Sequence, residues 1–368
     1  MKSQIHHRLL YLLMVLITSC EFPNLMVVDG TPHRYSLPSR NQIPDQTIFI
    51  NNTLGPINFT IGDRNFNFEQ LQVSAISSNK KLVDSIDIVL SGSGGNRTIT
   101  ITPIIGRTGE TKITIIGRDG RKVDSTSFMV TVLMRRENIK YPTVLFPLPQ
   151  SELLKLKAEF DSLNDTKMDC TLNEYGFITT VGLLDRGQST ITDTNIVVSK
   201  AKSAVWKFRK FTNVIDTNLL IVKEIKRSPV NLFTDWWIHL KQPYKGLVID
   251  AMEISLLVHQ EVVQMYGNTY KNIFIPIHDL ITIERAIKSL LGYEIEYYCW
   301  TREKFIVSID KVFTDQVSMV IYPKKSSNKI ELRVVWKIPI GSGRYPQWNF
   351  YIDVLTGEIV YIHQLFIC

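Results

Sequence analysis

From Asp45 to Leu133 the chain breaks into seven short runs that alternate apolar and polar residues: TIFIN, PINFTI, LQVSAIS, IDIVLS, RTITITPI, TKITII and STSFMVTVL. Between them lie the turn clusters IGDRN, SSNKK, SGSGGN, GRTGE and GRDGRK. Alternation with period two gives each strand one face for a core and one for water, and the clusters turn the chain back after every run. Such a stretch closes most simply as two facing sheets, so the spacing predicts an all-β sandwich over 45–133. No Trp between paired cysteines marks it as an antibody-type domain. Asp63, Asp87, Asp119 and Asp124 stand singly in turns, where aspartate serves the turn itself, and they imply no calcium.

The pattern changes on either side. Residues 20–44 carry four prolines and no sustained period, which predicts an extended tether. The charged, proline-marked MRRENIKYPTVLFPLPQ (134–150) predicts a link between domains. From 151 to 272 helix and strand patterns mix. SELLKLKAEFDSLN places Leu153, Leu156, Phe160 and Leu163 on one helical face, and a second helix capped by Ser199 aligns Ala201, Ala204, Val205, Phe208 and Phe211. The strands LLIVKEI, DWWIHLKQ, LVIDAMEISLLV and EVVQMYG follow. From 275 to 364, Thr282 and Gly292 bracket a helix that aligns Ile283, Ala286, Ile287, Leu290 and Leu291. Four strands then end in a hairpin, WNFYIDV and EIVYI about a Thr356-Gly357 corner. The expected architecture is multidomain and β-rich, a sandwich followed by two α+β domains with antiparallel sheets.

At the start, Lys2 and Arg8 precede the apolar run LLYLLMVLI, a layout that predicts a cleaved export signal over 1–19; the run is too short to span a bilayer, which takes about 20 apolar residues. Removing Lys2 and Arg8 with it lowers the formal charge from +7 to +5, and the densest basic stretch, Lys200 to Lys210, has helical spacing with apolar neighbours. Neither points to nucleic acid. Besides Cys20, Cys170, Cys299 and Cys368 are too few and too scattered for a disulfide framework.

Four resemblances rest on these residues. Ile17-Thr18-Ser19-Cys20 resembles a bacterial lipobox, which implies lipidation at Cys20, a membrane anchor, and a site in the cell envelope, at the outer membrane or cell surface. SAISSNKKLVDSIDIVLSGSGGNRTITITPIIGRTGETKITIIGRDG resembles the immunoglobulin-like or cadherin-like modules of bacterial surface proteins, which act as spacers or adhesive units. DWWIHLKQPYKGLVIDAMEISLLVHQEVVQMYGN resembles the propeptide (FTP) domain of fungalysin and thermolysin precursors: Gln242, Tyr244, Gly246 and Val248 fit its corner, and Gly267-Asn268 its close. Residues 275–364 resemble a PepSY domain, whose final hairpin holds Asp353, Thr356 and Gly357.

No catalytic machinery accompanies them. The sequence lacks H-E-x-x-H, and His33, His239, His259, His278 and His363 stand too far apart to pair on one helical turn. G-x-S-x-G, P-loop and G-x-G-x-x-G patterns are absent too, and SGSGGNR joins two strands. Asp353 and Glu358 flank a corner, where carboxylates form the turn and solvate strand ends. Trp300, Trp336, Trp348, Phe350, Tyr351 and Tyr361 are expected to pack within sheets. The expectation is therefore no metal, no cofactor and no catalysis. The resemblance implies a module that binds, inhibits or helps to fold a secreted metallopeptidase or another exported protein in trans. It would dock through the sheets of the last two domains, by an added edge strand or otherwise, rather than through the short tail His363–Cys368. The alternatives are a structural or adhesive surface lipoprotein with the sandwich as stalk, or a relic of a protease precursor.

Overall fold

The computed structural model describes residues 42–61, 71–118, 123–163, 169–182, 191–227, 235–250, 252–259, 262–298, 304–309, 311–341 and 347–366. Cys20, the export signal, nearly all of the tether, Asp63, Asp119, Gln260, Glu261, Cys299, Trp300 and Cys368 lie outside them. The chain is β-rich and is built on several sheets, nearly all of whose pairings are antiparallel.

The seven alternating runs form seven strands: β1 (Gln46–Phe49), β2 (Leu54–Thr60), β3 (Gln72–Ser77), β4 (Ile88–Ser93), β5 (Asn96–Ile101), β6 (Gly109–Arg118) and β7 (Val123–Leu133). One sheet runs β1-β7-β6-β3 and the other β2-β5-β4. Their inward residues, among them Ile99, Ile101, Ile113, Ile115, Val130 and Val132, are fully buried in one core. Strand β1 runs parallel to β7, a direction that alternation alone does not encode.

The next sheet has the order β11-β12-β13-β14-β10-β9, made of β9 (Asp169–Leu172), β10 (Ile178–Gly182), β11 (Ile221–Arg227), β12 (Trp236–Lys241), β13 (Ile254–Val258) and β14 (Val262–Tyr266). Helices α1 (Gln150–Leu163) and α2 (Thr194–Lys207) and the single turn α3 (Arg209–Thr212) cover one face. Of the expected α1 stripe only Phe160 is fully buried, stacked on Phe208 at 4.9 Å and edge-on to Phe211, while Leu163 is exposed. Helix α2 begins before the expected cap. Asp193, not Ser199, caps it by accepting from Asn195 N at 2.8 Å, and Val197 joins Ala201 and Val205 in the buried stripe. Phe208 and Phe211 lie past the end of α2, where Asn213 at φ 57° closes α3.

The last sheet centres on β19 (Lys329–Gly341). On one side lie β18 (Ser318–Ser326) and β17 (Lys311–Val312); on the other lie β20 (Trp348–Asp353), then β21 (Ile359–Gln364), and the short β8 (Thr143–Leu145), which pairs with the start of β19. Helix α4 (Ile283–Lys288), capped by Thr282, packs on one face over Ile338, Ile340, Phe350 and Ile352; Leu290 is buried with it, whereas Leu291 is 65% exposed. A separate hairpin, β15 (Glu294–Tyr298) with β16 (Lys304–Ser308), has no counterpart among the expected strands.

Two expectations change here. Residues 134–150 do more than link: Asn138 is buried, β8 pairs with β19, and the Tyr141 hydroxyl accepts from Val334 N at 2.9 Å. Similarly, LVID does not continue into β13. Val248–Asp250 crosses to β18, with Ile321 N donating to Val248 O at 2.9 Å and Asp250 N to Ile321 O at 2.8 Å. Each segment spends its backbone hydrogen bonds on a neighbouring sheet, a possibility invisible to local pattern.

The sandwich also meets the last sheet directly. Asn51 Nδ2 donates to Asp279 O (2.5 Å) and Leu355 O (2.9 Å), and its Oδ1 accepts from Gly106 N. The Arg285 guanidinium reaches Asn51 O and Pro103 O, and Arg135 pairs with Asp279 at 2.9 Å. Leu355, from the final hairpin, is part of the sandwich core.

Asp250 and Glu331 carry the charged side of this assembly. Burial alone would raise the Asp250 carboxyl, but a 2.6 Å hydrogen bond from Tyr351 and the Lys337 ammonium hold it below the usual carboxylate range. Glu331 is likewise held down, against its burial, by Lys329 and Arg333. A carboxyl whose folded pKa lies below the unfolded value contributes stability that is complete above the unfolded value and lost as pH falls through the folded one. Urea midpoints should therefore fall as pH drops below about 4, the ordinary carboxyl range. Asp250→Asn should lower the neutral-pH midpoint and flatten part of that acid slope; an unchanged slope would contradict the assignment.

Candidate functional site

Alternation in the sheet of β9–β14 sorts its side chains. Ile238, Leu240, Ile254, Leu256, Val258 and Met265 enter the core beneath α1 and α2, so Trp237, His239, Lys241, Ser255, Leu257, Gln264 and Tyr266 occupy the other face. Among the described residues, the helices of this sheet all lie on the opposite side. Trp237 meets Tyr266 edge-on at 5.9 Å and stacks on His239 at 6.4 Å; Ser255 and Leu257 on this face are buried, Trp237 is half-buried and Tyr266 is 40% exposed. Charged pairs rim the aromatic centre: Lys223 with Glu253 at 3.0 Å and Lys226 with Glu224 at 2.7 Å. Burial would raise the Glu253 carboxyl, but Lys223 lowers it, so it is an anion at neutral pH.

Ser255, His239 and Glu253 have the composition of a hydrolytic triad but not its geometry. The Ser255 hydroxyl lies 2.8 Å and the Glu253 carboxylate 3.2 Å from the same nitrogen, His239 Nδ1. Relay of a proton needs the nucleophile and the acid on opposite ring nitrogens, and Ser255 is 1% exposed. What the face can do is bind: large rigid aromatic rings at the centre, with paired charges outside, is the anatomy of a protein-docking patch.

The residues singled out by sequence fall elsewhere. Gln242, Tyr244, Gly246 and Gly267 build the corner at one end of this sheet. Gln242 is buried, accepting from Ile215 N at 3.0 Å, while its Nε2 has no partner among the described residues. Tyr244 and Leu247 exchange backbone hydrogen bonds across Lys245 and Gly246, both at positive φ, and beside Tyr244 opens a shallow cleft of about 450 Å³ walled also by Lys140, Lys245 and Ile273. At Gly267, φ +93°, a Cβ would lie 2.0 Å from Glu253 O. Asp353, Thr356 and Gly357 form the last corner, against the sandwich.

Asp353 departs from expectation. It is fully buried rather than solvated, and accepts from Leu355 N and Thr356 N at 2.9 Å each, from the Tyr141 hydroxyl at 2.7 Å and from Arg333 at 3.0 Å. It is too enclosed for a carboxylate pair with Glu358, which instead binds Lys324 and Arg333 at the surface. His259, expected at a polar hairpin tip, is 3% exposed and bonded through Nδ1 to buried Asp235. Trp348, Phe350 and Tyr351 are buried in sheet packing and Trp336 is half-buried, its indole donating to Ile281 O; Tyr361 is 44% exposed. Of this face, sequence reasoning missed Trp237 and Tyr266 and weighed His239 only as a metal ligand, although the alternation of DWWIHLKQ already separates Trp237 and His239 from Ile238 and Leu240. No protein-family model matches this chain, and no curated protein matches it either.

Proposed function

We propose that this chain is a non-catalytic, exported protein, held to the cell envelope through lipid on Cys20, that docks a secreted metallopeptidase or another exported protein in trans. The last two blocks are read as FTP-like and PepSY-like domains and the first as an immunoglobulin-like module, on the residues quoted above. The observation that carries the reading is the sheet face with Trp237 and Tyr266 at its centre, because an aromatic pair on a face that no described helix covers, and that belongs to none of the described core clusters, suits binding. The fixed contacts of the sandwich with the last sheet suit a rigid mount better than a loose stalk.

The test is the affinity of the full chain for a purified secreted zinc peptidase from the same envelope. Trp237→Ala with Tyr266→Ala should weaken it by about 1,000-fold, since two central aromatic anchors each contribute about 2 kcal/mol and every 1.4 kcal/mol is about tenfold. Far-UV dichroism checks that the variant is folded. An affinity unchanged in a folded variant would refute the assignment of this face.

A further inference from the structure

Of the outer edges β9, β11, β18 and β21 of the two sheets that follow the sandwich, three are blunted. Strand β18 is flanked by Val248–Asp250, and β9 has only four residues. Strand β11 carries Lys223, Lys226 and Arg227, with a bulge at Lys223 where its register with β12 shifts. Lysines, bulges and short length are the ordinary defences of an edge against pairing with other chains. Strand β21 has none of these over Tyr361–Leu365. The run IVYIHQL holds no Asp, Glu, Lys, Arg or Pro, its bulge is confined to Val360 at the corner, and among the described residues no strand lies beyond it.

The register states which groups face outward. Leu365 N donates to Gln347 O, so alternation along an antiparallel pair turns the backbone of Leu365, His363 and Tyr361 toward β20 and that of Ile362 and Gln364 toward the free edge. A second β21 laid antiparallel with its two-fold axis at Ile362 would exchange both hydrogen bonds of that residue with its copy. It would set Tyr361 opposite His363 of the second copy on one face, and Ile362 against Ile362 on the face of α4. The Tyr361 and His363 rings already stack within one chain, at 6.1 Å. No like charges meet anywhere along the pair, whereas β11 centred on Glu224 would oppose two carboxylates.

We propose that β21 is a self-association edge, through which two copies of this chain join their last sheets in an isologous dimer about Ile362. This uses a different surface from the docking face and stands apart from the function proposed above.

Sedimentation of the purified full chain over a range of concentrations tests it. The expected result is a reversible dimer, reduced to half its mass by Gln364→Pro, which removes an outward N–H together with the side-chain bond to Phe366 O, and by Tyr361→Lys with His363→Lys, which sets like charges opposite one another. Directly opposite residues of a non-hydrogen-bonded pair have Cα atoms about 4.5 Å apart, within disulfide range. Tyr361→Cys with His363→Cys should therefore cross-link two copies on mild oxidation, whatever the lysine and proline variants do. A chain that is monomeric at every concentration, or a dimer that forms no such link, would overturn the proposal; so would a β21 edge occupied by some other protein while the chain itself stays monomeric.

Discussion

Replacing Asp353 by alanine should lower the free energy of unfolding by about 3–5 kcal/mol, the cost of removing one partner from a buried ion pair. The carboxylate is wholly enclosed and serves four donors at once: two backbone amides of the hairpin corner, the Tyr141 hydroxyl and Arg333. Arg333 is itself 11% exposed, and although burial would lower its pKa, Glu331 and Asp353 raise it, so the guanidinium is left charged when Asp353 is removed. The Tyr141 phenol is pushed well above its ordinary pKa by burial and by the neighbouring Asp353, and it stays protonated to donate. Tyr141→Phe removes that donor and the acceptor of the Val334 amide while leaving the ion pair, and should cost less, about 1–3 kcal/mol. Urea denaturation gives both values, and a loss below about 1 kcal/mol for Asp353→Ala would contradict the buried network.

The second large effect is expected at Gly106. It sits at φ +69°, where a Cβ would fall 2.0 Å from Thr356 O, so the sandwich and the final hairpin approach at a distance that only glycine permits. Gly94 is the natural control, at φ +59° with nothing within 4 Å of a Cβ. Alanine at Gly94 should cost only the left-handed conformation, about 1–2 kcal/mol, whereas alanine at Gly106 adds displacement of a backbone and should reach about 3 kcal/mol or more. Equal losses at the two positions would mean that the sandwich and hairpin do not touch as described.

These two positions also explain what was legible in the sequence. Period-two runs found all seven strands of the sandwich and the final hairpin, because one buried face forces alternation. Thr282 was recognisable as a cap because its side chain answers a local need, the Arg285 amide. Asp353 was not, since turn formers look alike whether wet or buried, and its Tyr141 and Arg333 partners come from distant parts of the chain. The same limit hid the crossing of Val248–Asp250 and the pairing of β8. The open face was half-visible: alternation set Trp237 and His239 apart from the core positions, but only the location of α1 and α2 shows which side they leave uncovered.

The central proposal, that the sheet face left uncovered among the described residues receives an exported protein, is tested most directly by amide hydrogen exchange of the full chain with and without a purified secreted peptidase. The account predicts added protection concentrated in β12, β13 and β14, with slower exchange around Trp237 and Tyr266 and little change in α1 and α2. Protection confined to the helices or to the sandwich, or no change at saturating peptidase, would contradict it.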